Sequence, residues 1–224
     1  MVDIERYIAR LTGLLKERFG ERLAYIGLQG SYLRGEATDT SDIDIMAVIG
    51  GFCVEDMDAY RDAIASLEHF ELSCGFICGK DDMAKWNPLE ICNLLHSTKD
   101  YYGKLRELVP EYTREDERNF LKVSVNNLYH EICHRYIHAD AERNKIGLRG
   151  SYKGVFFILQ GLHYWRGGEF VAAKADLLPK LSGKDRLVLE KCMELRADAD
   201  YDFKKAFALL FAWCRETFAE LAEE

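Results

Sequence analysis

Four residues stand out for what their types and spacing can do. Gly30-Ser31 follows a short apolar run at 23–28, and Asp42 and Asp44 open a second apolar run that ends at Ile49. On an extended strand, residues two apart share a face. Asp42 and Asp44 therefore turn two carboxylates to one side, while Ile43 and Ile45 point to the other. Adjacent carboxylates repel unless a cation lies between them. Hard oxygen donors of this kind suit Mg2+, which is held by one or two carboxylates together with the phosphates of a substrate. A Gly-Ser turn directly after a strand supplies the complementary part. Glycine lets the backbone approach a phosphate closely, and the serine hydroxyl with freed N–H groups can bind its oxygens. An isolated Asp-x-Asp reads as a solvated strand mouth. The pair of features, at this separation, reads as a phosphate and metal site.

The surrounding sequence has to hold these residues on a rigid sheet. Apolar residues at Ile4, Tyr7, Ile8, Leu11, Leu14 and Leu15 form one helical stripe that Gly20 ends. Strands are predicted over 23–28, 42–49 and 70–78, with an amphipathic helix over 55–69 between the last two. Residues 89–102 are ambiguous between helix and strand. Beyond Pro110 the pattern turns helical: Thr113-x-x-Asp116 can cap a long helix running to about Arg143, a second is predicted over 152–166, and further helices over 176–181, 184–197 and 200–221. The expected fold class is α+β: a domain at 1–110 with a small mixed β-sheet and flanking helices, then an all-α helical bundle at 111–224.

Composition narrows the function. The 224 residues contain no apolar run near the roughly 20 needed to cross a bilayer. The first residues, Met1-Val2-Asp3-Ile4-Glu5-Arg6, are charged at once and lack a signal-peptide core. Seven cysteines, odd in number and set in apolar stretches, read as reduced core thiols. The expected location is therefore the cytoplasm, with no membrane partner. The net charge of −8 argues against a broad nucleic-acid footprint. Residues 1–110 hold 12 Lys+Arg against 19 Asp+Glu, so nearly all of the acidic excess lies in the half with the paired carboxylates. A cationic acceptor would fit that half. Monomer and homodimer both stay open.

Gly30-Ser31, then Asp42-x-Asp44 within Gly-Ser-x-x-x-Gly-x-Ala-x-x-x-Ser-Asp-Ile-Asp, resembles the signature of the polymerase-β-like nucleotidyltransferase superfamily. It is similar above all to the small bacterial branches that include the aminoglycoside and lincosamide nucleotidyltransferases. The order of parts extends the likeness over most of the chain. Cys74-Gly-Phe-Ile-x-Gly-Lys80, Tyr102-Gly103 and the Tyr152-Lys153 helix look like one bacterial subgroup of such proteins. The resemblance implies in-line transfer of a nucleoside monophosphate, AMP from ATP in the first instance, to a hydroxyl of a small molecule, with pyrophosphate leaving. By position, Asp42 and Asp44 would ligate Mg2+, and Gly30 and Ser31 would hold the β- and γ-phosphates. Ser41 would cap the phosphates or orient Asp42, or else serve its own turn. Arg34 would reach the triphosphate or stay a solvated loop arginine. The family's third carboxylate, a metal ligand or general base on the next strand, would be Glu71, against a reading of Glu71 as a solvated strand-edge acid. The helical half would bind the acceptor.

In that half, Lys153 falls in the first turn of the helix predicted over 152–166. The resemblance implies a lysine there that reaches the triphosphate; the alternative is a surface lysine. His130, His134 and His138 recur at i, i+4 and i+8. They could line an acceptor pocket, form an inert and partly buried stripe, or bind a transition metal through an i, i+4 pair, although no third ligand marks a zinc enzyme. Glu131 beside them is an alternative base. Tyr136, Phe156-Phe157, Tyr164-Trp165 and Phe207/Phe211 read as bundle core. Two other functions stay open at this level. One is an AMP-transferring toxin–antitoxin or regulatory module acting on protein or RNA. The other is a nucleotide-binding protein without efficient turnover.

Overall fold

The computed structural model describes residues 2–197 and 200–223. Met1, Asp198, Ala199 and Glu224 lie outside them. In chain order the elements are α1 (Ile4–Phe19), β1 (Leu23–Leu28), α2 (Gly30–Leu33), β2 (Ile43–Ile49), α3 (Val54–Ala65), β3 (Ser73–Gly79), α4 (Lys80–Met83), α5 (Pro88–His96), β4 (Lys99–Tyr102), α6 (Arg114–His138), α7 (Ala141–Trp165), α8 (Lys174–Leu177), α9 (Gly183–Ala197) and α10 (Phe203–Ala222). The chain divides into two compact units, Met1–Tyr112 and Thr113–Glu224. The architecture is the α+β arrangement of a small mixed sheet with helices followed by an all-helical unit.

The first unit is built around β2. The sheet runs β3-β2-β1-β4, with β2 antiparallel to β1 and parallel to β3, and β1 antiparallel to β4. The parallel pair needs a crossover, which α3 supplies. Alternation along β2 serves two cores. Ile43, Ile45, Ala47 and Ile49 pack with Tyr7, Ile8, Leu11 and Leu15 of α1. Met46 and Val48 pack on the other face with Tyr25, Cys78, Met83 and Leu105. Asp44 shares the parity of Met46 and Val48, so it stands on the face turned away from α1. The stretch that was ambiguous at 89–102 resolves into both of its alternatives: α5, with Asn87 as N-cap and Pro88 at its first position, and then β4.

The second unit corrects two helix boundaries. Thr113 and Asp116 cap α6 reciprocally, the Asp116 N–H reaching Thr113 Oγ1 at 3.2 Å and the Thr113 N–H reaching Asp116 Oδ2 at 2.8 Å. However, α6 stops at His138, short of Arg143. Asp140 then accepts from the Arg143 N–H at 2.8 Å and starts α7 at Ala141, well before Tyr152. Gly147 and Gly150 lie inside α7. Close packing against α6 explains one of them: a Cβ on Gly147 would lie 2.6 Å from Arg135 Nη1. The apolar core of this unit centres on Tyr152, Phe156, Leu159, Leu210 and Trp213, and Gln160 and Thr217 are buried as well. Phe157 and Tyr136, read as core, are partly exposed at 41% and 37%.

All seven cysteines are free thiols. Cys53 and Cys74 are exposed, which departs from a purely buried set. No helix among the described residues is long and apolar enough to cross a membrane.

Candidate active site

The turn after β1 lies directly against the acidic end of β2. Pairing of Leu28 with Ile45 brings the two strand ends level, and the Gln29 N–H donates to the Asp44 carbonyl at 2.9 Å. The Gln29 side chain is held by Thr98 Oγ1 at 2.8 Å. Gly30 then turns the chain with φ +70°, a conformation that favours glycine. The absence of a side chain is required for a second reason. A Cβ on Gly30 would sit 1.8 Å from Asp44 Oδ2. Ser31 follows in the single turn of α2, and its carbonyl accepts from the Glu36 N–H at 2.9 Å.

Asp42 lies just before β2 and is exposed, whereas Asp44 is half-buried and Ile43 and Ile45 are buried. Both carboxylates act on one neighbour. Cys74 is the strand partner of Asp44 across the parallel β2–β3 ladder. Its thiol is pushed up by desolvation first, then by the charge of Asp44 and a hydrogen bond to it, with Asp42 adding to the effect. The structure thus brings Gly30, Asp42, Asp44 and Cys74 to one end of the sheet.

Glu71 does not join the pair. It lies in a 3-10 turn before β3, is exposed, and faces His69 Nδ1 at 3.7 Å. Its charge is felt by Tyr7 of α1, the helix on the opposite face from Asp44. The reason is where the strand begins: β3 starts at Ser73, so the residue beside Asp44 is Cys74. Ser41 serves its own turn, its hydroxyl accepting from the Thr38 N–H at 2.9 Å. Arg34 is no solvated arginine, because it pairs with Glu36 at 3.4 Å with both side chains largely covered. Lys153 is exposed in the middle of α7, not in a first turn. Glu131 is engaged by Arg135 at 2.7 Å and by the Ser151 hydroxyl at 3.1 Å. The three histidines of α6 are all exposed, not partly buried.

Sequence reasoning missed Gln29, Thr98 and Cys74. Gln29 and Thr98 carry no local signal, since their contact joins residues 69 apart. Cys74 could have been found by fixing the β2–β3 register, which the periodicity of a single strand does not give.

The donor set fits a hard divalent cation. Two carboxylates at a strand mouth leave room for the phosphate oxygens that complete an Mg2+ shell. The Gly30 turn, which a Cβ would fill, leaves its backbone bare beside them.

Comparison with known proteins agrees with this geometry. The family model for the nucleotidyltransferase domain matches residues 8–73, a span from within α1 to the start of β3 that contains the turn and both aspartates. No curated protein matches the chain by sequence. Among solved structures, the fold resembles that of spectinomycin adenyltransferase AAD(9) from Enterococcus faecialis, determined with ATP and spectinomycin. The TM-score is 0.57 at 13% identity, covering 96% of this chain and 99% of that one. Residues 8–73 thus match a nucleotidyltransferase domain, in the N-terminal unit that holds the glycine turn and both aspartates, and the fold over most of the chain is like that of an adenyltransferase.

Proposed function

We propose that the protein transfers AMP from ATP, with Mg2+, to a hydroxyl of a small, cationic, aminoglycoside-like acceptor. The observation that carries this reading is the contact of Gly30 with Asp44, which sets a phosphate-binding turn against a metal-binding carboxylate with no space even for a methyl group. The likeness to an adenyltransferase crystallised with ATP and spectinomycin supports both the nucleotide and the acceptor class. The acidic excess of residues 1–110 supports a cationic acceptor.

The roles follow from the chemistry of the side chains. Asp42 and Asp44 hold the cation, which when bound neutralises phosphate charge and polarises the phosphorus centre. The bare backbone at Gly30 and the Ser31 hydroxyl hold the β- and γ-phosphate oxygens. Asp44 is kept in orientation by the Gly30 turn beneath it and by the Cys74 thiol. Glu71 is left outside the reaction, so Glu71→Gln should keep kcat/KM within about threefold of the native value, the size expected of a surface charge. A steady-state assay with ATP and an acceptor checks this, and a large loss in kcat would return Glu71 to the site.

Lys153 completes the proposal. It is an exposed cation in the helical unit, and beside a departing pyrophosphate it would stabilise the transition state more than the ground state. Lys153→Ala should lower kcat/KM for ATP roughly tenfold to hundredfold with little change in Tm. Native kinetics in that variant would make Lys153 a surface lysine. Transfer itself is tested by incubating α-labelled ATP and Mg2+ with a panel of amino sugars and other hydroxylated cations. A label found instead on a protein band or on RNA would favour a regulatory transferase.

A further inference from the structure

We propose that His134 and His138 form a binding site for a borderline divalent transition-metal ion on α6, with nitrogen donors in place of the oxygen donors of Asp42/Asp44. The three histidines of this helix are exposed, and their rings follow one another along its surface. The ring centres of His134 and His138 are 4.8 Å apart, and those of His130 and His134 are 5.9 Å apart. These distances discriminate between the pairs. An imidazole nitrogen binds Zn2+ at about 2.0–2.1 Å, which puts its ring centre about 3.1 Å from the ion. Centres 4.8 Å apart then subtend about 100° at a shared ion, between the octahedral and tetrahedral angles. Centres 5.9 Å apart would subtend about 145°, which suits neither geometry. The site is therefore the His134/His138 pair, with His130 outside it.

Nearby groups leave that pair available. Arg135 is engaged by Glu131 at 2.7 Å. Cys133 packs against the apolar core on another side of the helix. Among the described residues no third His, Cys, Asp or Glu completes a closed cage. The ion would thus keep open positions for water or for one donor from outside, the arrangement of an open site and not of a structural one. Imidazole donors select Ni2+, Cu2+ and Zn2+ over Mg2+, so the ions of the two sites differ in chemistry.

The test is calorimetric titration of the full chain with Ni2+, which spares the exposed thiols Cys53 and Cys74 the oxidation that Cu2+ would bring. The expected result is one Ni2+ equivalent that His134→Asn/His138→Asn loses or binds at least about tenfold more weakly. His130→Asn should keep the native affinity within about twofold. Excess Ni2+ should raise the Tm of the native chain and of His130→Asn by more than that of the double variant. All three side chains are exposed, so far-ultraviolet circular dichroism should show unchanged helix content in every variant. Native affinity in the double variant, or an equal loss in His130→Asn and His134→Asn, would overturn the assignment.

Discussion

Asp44→Asn should lower AMP transfer by about 1000-fold or more, and Asp42→Asn should do the same, because several kcal/mol of transition-state charge stabilisation would depend on the cation that these two side chains are proposed to hold. The fold should survive. Asp42 is exposed and Asp44 only half-buried, and neither belongs to the apolar cores beneath β2. The metal-free Tm should change little. Steady-state rates and thermal melts on the same preparations separate the two effects. Full activity in the Asp42→Asn/Asp44→Asn double variant would refute the proposed role.

The second large effect concerns Gly30. Gly30→Ala should reduce kcat/KM by at least about 100-fold, the cost of losing a positioned donor set at the reacting phosphates. Two causes act at once, and a second glycine separates them. Gly30 has φ +70° and a Cβ there would strike Asp44 Oδ2 at 1.8 Å, whereas Gly35 has φ +68° and nothing within 4 Å of its Cβ position. Alanine at either site brings the strain of a left-handed residue, about 1 kcal/mol. Only Gly30→Ala also displaces the carboxylate. Gly35→Ala should therefore show a similar fall in Tm but nearly native kcat/KM. Equal kinetic losses in both would mean that loop strain, and not contact with Asp44, makes Gly30 necessary.

The parts of the site legible in the sequence were those encoded locally. Period two put Asp42 and Asp44 on one side of Ile43 and Ile45, and the Gly-Ser turn followed from its place after an apolar run. What failed depended on where elements begin and on how they pack. The resemblance puts Glu71 on the strand predicted over 70–78, but a 3-10 turn at Phe70–Leu72 delays the strand to Ser73 and gives the place beside Asp44 to Cys74. Helix boundaries failed for a related reason. Gly147 breaks a helix by propensity, yet it is retained in α7, where it lies against the Arg135 side chain of α6. Asp140, a single capping side chain, starts α7 about three turns before the predicted start at Tyr152 and leaves Lys153 in mid-helix.

The central claim is that the two carboxylates and the glycine turn of the first unit make an ATP-dependent nucleotidyl-transfer site. The most direct measurement follows the α-phosphate. ATP labelled at that position is incubated with Mg2+ and a hydroxylated cationic acceptor, and pyrophosphate and labelled acceptor are quantified together. The account predicts one pyrophosphate for each labelled acceptor, dependence on Mg2+, and loss of both products in Asp44→Asn. Equal product in Asp44→Asn, or pyrophosphate released without any label reaching an acceptor, would contradict it.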